Sequence, residues 1–169
     1  MKKIKLTQNK YALVDDEDYE FLSRWKWCAH KGGRTYYAKS TQYSDGKKRT
    51  LYMHRLIMIP APGQEIDHID RNGLNNQKAN LRVCTHKENS VNRIYRNKTG
   101  YRGIKKHGNR WEARISFHKK RYYLGIYHTP EEAAHVYSIA AKKYYGEFAC
   151  LNKPEIYNWT DTKEEYNDL

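Results

Sequence analysis

Asp67-His68-Ile69-Asp70-Arg71-Asn72-Gly73 opens the stretch on which the reading of this chain turns. It continues through Asn75-Asn76 and Asn80-Leu81-Arg82-Val83 to Thr85-His86-Lys87-Glu88-Asn89. A carboxylate and an imidazole stand next to each other, and Asp70-Arg71-Asn72-Gly73 is turn chemistry. A second short apolar run follows. Thr85 and Glu88 then have capping-box spacing, which predicts a helix with Thr85 as N-cap and places Asn89 in its first turns. Neighbours on a strand point to opposite faces, so Asp67 and His68 are expected on two sides of one strand.

This order of residues resembles the HNH nuclease site, the ββα-metal motif. The resemblance implies a strand acid and a helical amide that hold one hard cation, with a base opposite them. Carried onto this chain, Asp67 and Asn89 are the metal ligands, for one Mg²⁺ or Mn²⁺ per site, since oxygen donors suit such ions. His68 is the general base, as an imidazole titrates near neutral pH. The middle Asn of the motif falls on Asn80, where it fixes the loop between the strands rather than binding metal. Asn75 and Asn76 read as turn formers, and His86 as an exposed helical histidine. Positions left open on the metal would take phosphate oxygens and water, and the resemblance implies products with 5′ phosphate and 3′ hydroxyl.

The resemblance covers Val14 to Asn89 and is to phage and bacterial homing-type endonucleases of this kind. A His-Arg dipeptide is familiar in them at the place of His54-Arg55. Arg55 is then a phosphate clamp and His54 a supporting group at the site. A packed histidine and a solvated arginine would leave the same trace in the sequence.

The stretches before the motif look strand-rich. Tyr11-Ala12-Leu13-Val14 reads as a strand ended by the acidic run Asp15 to Asp18. Tyr19-Glu20-Phe21-Leu22 starts a short helix with Phe21, Leu22 and Trp25 inward. Trp25 and Trp27 alternate as on a strand face. Thr35 to Lys39 and Thr50 to His54 flank Asp45-Gly46, a hairpin signal. Lys39, Lys47, Lys48 and Arg49 are expected to face nucleic acid.

Beyond the motif, Asn92 to Gly100 reads as a helix tail running into a basic linker. Then three strands are expected: Tyr101 to Lys105, Arg110 to Phe117 and Arg121 to Tyr127. In the second of these, Trp111, Ala113, Ile115 and Phe117 share one face. Thr129-Pro130-Glu131-Glu132 is a capping box with Pro at the first helical position. The helix is expected to stop at Gly146, with Ala133, Val136, Tyr137, Ala140, Ala141 and Tyr144 inward.

Tyr101-Arg102-Gly103, Leu124-Gly125, the Glu-Glu-Ala-Ala helix entry, and Gly146 with Leu151-Asn152 beyond it resemble the plant ethylene-response-factor (APETALA-two) DNA-binding domain. In that family the sheet lies in the major groove. Matching positions put Arg102, Lys105, His107, Arg114, Ser116, Arg121 and Tyr123 toward DNA, and strand alternation independently places such residues opposite Trp111 and Ile115. Several plant readers are replaced here, so the plant target sequence is not carried over.

Composition agrees with a polyanionic partner. The 169 residues carry 32 Lys and Arg against 19 Asp and Glu, a formal charge of +13, which favours nucleic acid. From Arg93 to Arg121 there are eleven basic residues and one acid, Glu112. Hydrophobic residues make up 38%, so the cores must be small and rich in tyrosine. Cys28, Cys84 and Cys150 are too far apart for a disulfide framework or a Cys-x-x-Cys zinc site, and are expected as reduced core residues. No apolar run suits a signal peptide or a membrane span.

The reading is therefore an α+β chain. It has a strand-rich nuclease domain over 1–92, a linker over 93–100, a three-stranded antiparallel sheet packed on one helix over 101–152, and a tail over 153–169. The expected activity is metal-dependent hydrolysis of duplex DNA, homing in type and sequence-targeted by the sheet. The rival is a regulator that binds specific DNA without cutting. Double-stranded DNA is the expected partner, with no membrane and no obligatory protein partner. A homodimer is left open, and the expected compartment is the cytoplasm, that of a bacterial host if a phage encodes the chain.

Overall fold

The computed structural model describes residues 1–93 and 99–152. The expected linker falls partly, and the tail wholly, outside the described residues. The chain divides into two compact units, Met1–Arg93 and Ile94–Leu169, and each is α+β.

The first unit opens with an antiparallel pair, β1 (Lys2–Lys5) and β2 (Tyr11–Val14), then α1 (Asp16–Leu22). A three-stranded antiparallel sheet follows, β3 (Cys28–Gly32), β4 (Thr35–Ser44) and β5 (Lys47–Tyr52), and then α2 (Met53–Met58). The last part is β6 (Glu65–His68), β7 (Leu81–Cys84) and α3 (His86–Val91), two antiparallel strands and a helix in the predicted order.

Ile4, Leu6, Ala12, Val14, Leu22, Trp27, Ala29, Ala38 and Met53 form the core. β1 has no counterpart in the sequence reading, because three of its four residues are lysines and only Ile4 turns inward. β2 ends at Val14, where the acidic run begins, as expected, and the run also starts α1, where Asp16, Glu17 and Asp18 lie against the positive end of the helix dipole. Phe21 is 44% exposed and only Leu22 of that helix is fully buried. Trp25 and Trp27 are not on a strand; they sit in the turn before β3, where Trp27 Nε1 donates to the Leu22 carbonyl at 2.8 Å. Cys84 and Cys150 are buried as expected, but Cys28 is exposed. Met53 and His54 leave β5 and begin α2, because Met53 turns into the core with 0% exposure.

Gly73 docks the turn between β6 and β7 onto β4. Its nitrogen donates to Thr35 Oγ1 at 3.0 Å, and a Cβ there would stand 2.5 Å from the Tyr36 carbonyl. Segment 74–76 is also stitched onto β2: Leu13 N donates to Leu74 O and Asn76 N to Leu13 O, both at 2.8 Å.

The second unit is a three-stranded antiparallel sheet in the order β10-β9-β8, with β8 (Ile104–His107), β9 (Arg110–Phe117) and β10 (Lys120–Tyr127), and one helix, α4 (Pro130–Tyr145). Thr129 and Glu132 form the capping box. Ala113 and Ile115 pack on Ala133, Ala134, Tyr137, Ala140 and Ala141. Ser138 is buried too, because its hydroxyl meets the chain again at Asn152. Asn152 closes the unit: its amide accepts from Arg102 N at 2.8 Å and donates to Arg102 O at 2.9 Å.

Candidate active site and nucleic-acid interface

The β6–β7 register sets Asp67 opposite Arg82 and His68 opposite Leu81. Strand alternation sends Glu65 and Asp67 to one face and His68 to the other. Both Asp67 and His68 are 5% exposed.

On the carboxylate face, Arg82 holds Asp67 Oδ2 through Nε at 2.9 Å and Nη2 at 2.5 Å. Asn92, at the C-cap of α3, donates through Nδ2 to both Asp67 oxygens at 3.0 Å and to the His68 carbonyl at 3.1 Å. Asn89 points one strand position pair away: its Nδ2 donates to Glu65 Oε2 at 2.6 Å. His86, exposed as expected, meets Glu65 Oε1 at 2.7 Å. These hydrogen bonds, Asn89's first, hold the Glu65 carboxyl below its usual range.

The donor chemistry of this face fits a hard divalent cation. Asp67 carries carboxylate oxygens, here bonded to Arg82 and Asn92, and Asn89 and Asn92 use their nitrogens in the bonds described, so that their amide oxygens are the hard donors of the set. Cys84 sits opposite Glu65, and burial first, and then the charge of Asp67, pushes its thiol up to about 11.

On the other face His68 belongs to an aromatic cluster drawn from four elements. Its ring centroid lies 5.1 Å from His54 of α2 and 5.8 Å from Tyr37 of β4. Tyr52 of β5 stacks on His54 at 5.6 Å. The structure thus brings His54 beside His68. Burial pushes His54 down to about 3, with the charges of His68 and Arg55 acting in the same direction. Burial also lowers His68, while Asn76, Asp70 and Asp67 oppose it. Both rings are therefore neutral at neutral pH, the state in which an imidazole accepts a proton. Arg55 is exposed, with Nη1 3.5 Å from the Gln64 carbonyl.

Asn80 spans the loop between the strands. Its Oδ1 accepts from Asp70 N at 3.0 Å, and its Nδ2 donates to Asp70 Oδ1 at 3.0 Å and to the Asn75 carbonyl at 2.8 Å. Asn75 is a turn residue, donating to Asp70 Oδ2 at 2.8 Å. Asn76 is not: its side chain is fully buried, at 0% exposure.

In the second unit, β8–β9 pairs Lys105 with Glu112 and His107 with Arg110, and β9–β10 pairs Arg114 with Tyr123 and Ser116 with Arg121. All of these share the face away from α4, and all are exposed except Glu112, at 4%. Glu112 is ion-paired with Arg114. The register shifts between Tyr123 and Gly125, so Tyr122 and Leu124 pack inward while Tyr123 stands 62% exposed. Arg102 precedes β8, is half-buried, and is held by its backbone to Asn152.

The HNH endonuclease family model matches residues 51–91, from the end of β5 through α3. An uncharacterized HNH endonuclease of Acanthamoeba polyphaga mimivirus is 34% identical over 151 residues, covering 85% of this chain and 75% of that protein. The chain belongs to the HNH endonuclease family. It is a DNA-cleaving hydrolase. The sheet unit is an AP2-like domain: 65 residues are 48% identical to the ethylene-responsive transcription factor WRI1 of Arabidopsis thaliana, which is 36% of this chain and 15% of that one. Another 56-residue match, at 54%, is to an AP2-like ethylene-responsive transcription factor of the same plant, covering 31% of this chain and 16% of that protein. No described helix of this endonuclease is long and apolar enough to cross a membrane.

Three residues of the endonuclease site escaped sequence reading. Glu65 shares the face of Asp67 two positions earlier, and Asn92 lies one helical turn after Asn89; period-two and i, i+3 spacing would have found both. Tyr37 had no local signal, since only the packing of β4 on β6 brings it to His68.

Proposed function

We propose that this chain is a metal-dependent endonuclease of duplex DNA, homing in type, whose AP2-like unit selects the site that the HNH unit cuts. The observation that carries the reading is Asp67 and His68, both buried, on opposite faces of β6, with the Asn92 amide at the C-cap of α3 bonded to the acid. His68 takes a proton from the attacking water, and its buried surroundings keep the ring neutral for that task. Asp67 and Asn89, with Asn92 beside them, hold one Mg²⁺ or Mn²⁺. When bound, that ion supplies Lewis-acid help to the phosphate and the departing 3′ oxygen.

Asn80 keeps the loop in shape through its three hydrogen bonds. His54 packs against His68 and keeps water from its flank. Arg55, Arg82 or Arg93 helps on the phosphate, and the products carry 5′ phosphate and 3′ hydroxyl. Lys105, His107, Arg114, Ser116, Arg121 and Tyr123 form the surface that meets DNA. The separate sheet unit, with its exposed basic face, supports site selection.

Supercoiled plasmid tests the reading. With Mg²⁺ or Mn²⁺ the parent should nick or linearise it, and EDTA should stop the reaction. His68→Ala should cut at least about 10²-fold more slowly while still shifting DNA in a gel. Parent-like cutting by His68→Ala overturns the assignment, and binding without cutting under every divalent ion favours the regulator.

A further inference from the structure

Glu112 is the one acid in the three strands of the sheet unit. It lies on the face of β9 turned away from α4, among the basic residues, yet it is 4% exposed. A carboxylate in a surface that meets a polyanion weakens the attraction, so its presence calls for a use. Its surroundings show one. Oε1 meets Nε of Arg114, two positions along the same strand and on the same face, as an ion pair rather than a directed hydrogen bond. His107 Nδ1 of β8 stands 3.9 Å from Oε2. Lys105 lies opposite Glu112 on β8, and Ile126, which has no polar side-chain atom, lies opposite it on β10. The Arg114 side chain is 49% exposed. Its guanidinium is thus gripped at Nε from below, and the terminal nitrogens are the part left to face outward.

We propose that Glu112 is the positioning residue of Arg114: it pins Nε and so aims the terminal edge of the guanidinium at a guanine in the major groove. Guanine O6 and N7 accept such an edge bidentately. A planar fork fixed before binding loses less freedom on docking than a free one, and a fixed direction penalises the other bases. Glu112 is too enclosed to accept from a base itself, the direct use of a carboxylate in that groove. It gives up some attraction for the DNA backbone and gains choice of base.

The inference rests on the reading of this sheet as the surface that selects DNA, and two measurements test it. In the first, full-length protein in EDTA selects from a randomised duplex pool. The parent should enrich a sequence with a guanine that Arg114→Ala no longer prefers. Glu112→Gln should lose about fivefold or more of the preference at that same position, the lower end for one bidentate pair, while its affinity for the unselected pool holds or rises, since a negative charge has gone. A Glu112→Gln protein that keeps the guanine, or that weakens on selected and unselected DNA alike, overturns the proposal alone. A parent that enriches no sequence overturns the selection reading and the proposal with it. In the second, ¹⁵N-labelled parent without DNA should show an Arg114 Nε–H, assigned by its absence from Arg114→Lys, that exchanges with solvent several-fold more slowly than that of Arg121 on the same face. Equal exchange overturns the proposal even if Glu112→Gln does not fold.

Discussion

Acid should weaken the nuclease unit through His54, and the size of the effect follows from its surroundings. The ring is packed among Tyr37, Tyr52 and His68, and burial takes it from 6.5 to about 3. Folded, it stays neutral; unfolded, it takes a proton below 6.5. Between those values the unfolded chain binds more protons, so stability is full above 6.5 and falls as pH drops. At about 1.4 kcal/mol per pH unit, going from pH 7.5 to pH 5.0 should cost about 2 kcal/mol from this residue.

His54→Phe keeps a flat ring in the cluster and removes the titration. Urea unfolding followed by the fluorescence of Trp25 and Trp27, in a background where Trp111 and Trp159 are both replaced by Phe, reads the first unit. With a slope of about 2 kcal/mol per molar, the parent's midpoint should fall by about 1 M more than the variant's between the two pH values. His68 titrates in the same direction but is present in both proteins, so it drops out of the difference. An equal fall in parent and His54→Phe would refute the argument.

Three further outcomes follow from specific contacts. Gly103→Ala should destabilise the second unit by at least about 2 kcal/mol in a thermal melt, because a Cβ at φ +72° would stand 2.1 Å from the Tyr137 ring. Asn80→Ala should lose about 1–3 kcal/mol from unpaired loop groups and slow plasmid cutting without altering gel-shift affinity for DNA. Lys105→Ala and Arg121→Ala should each reduce the slope of log affinity against log salt by about 0.9, the share of one phosphate contact on duplex DNA; a slope equal to the parent's would remove that residue from the interface.

Local rules carried the sequence reading wherever one element fixed its own residues. α4 was legible because Thr129, Pro130 and Glu132 start it and a stripe of alanines faces the sheet. The start of α3 was legible for the same reason: Thr85 and Glu88 pair reciprocally. Trp25 and Trp27 were misplaced because period-two spacing is also met by chance in a turn, and Trp27 is held there by a bond to the end of α1. At the site, the residue types and order of Asp67, His68, Asn80 and Asn89 could be read in one dimension. The amide that actually touches Asp67 is Asn92, and Asn89 is taken by Glu65; which of two helical asparagines reaches an acid depends on how the helix is rotated on the strands. Asn76 looked like a turn residue because its burial is created by β2, which lies some sixty positions earlier in the chain.

The closure at Asn152 has a consequence for how such a unit travels. Both backbone groups of Arg102 are bonded to the amide of a residue fifty positions later, so the chain enters and leaves the sheet unit at nearly one point. A fold whose ends meet can be spliced into a surface loop of an unrelated host without prying that loop apart. Residues 101–152 are thus a transplantable cassette, and grafting them between two adjacent strands of a stable carrier should yield a protein that melts as the carrier does and has gained an affinity for duplex DNA.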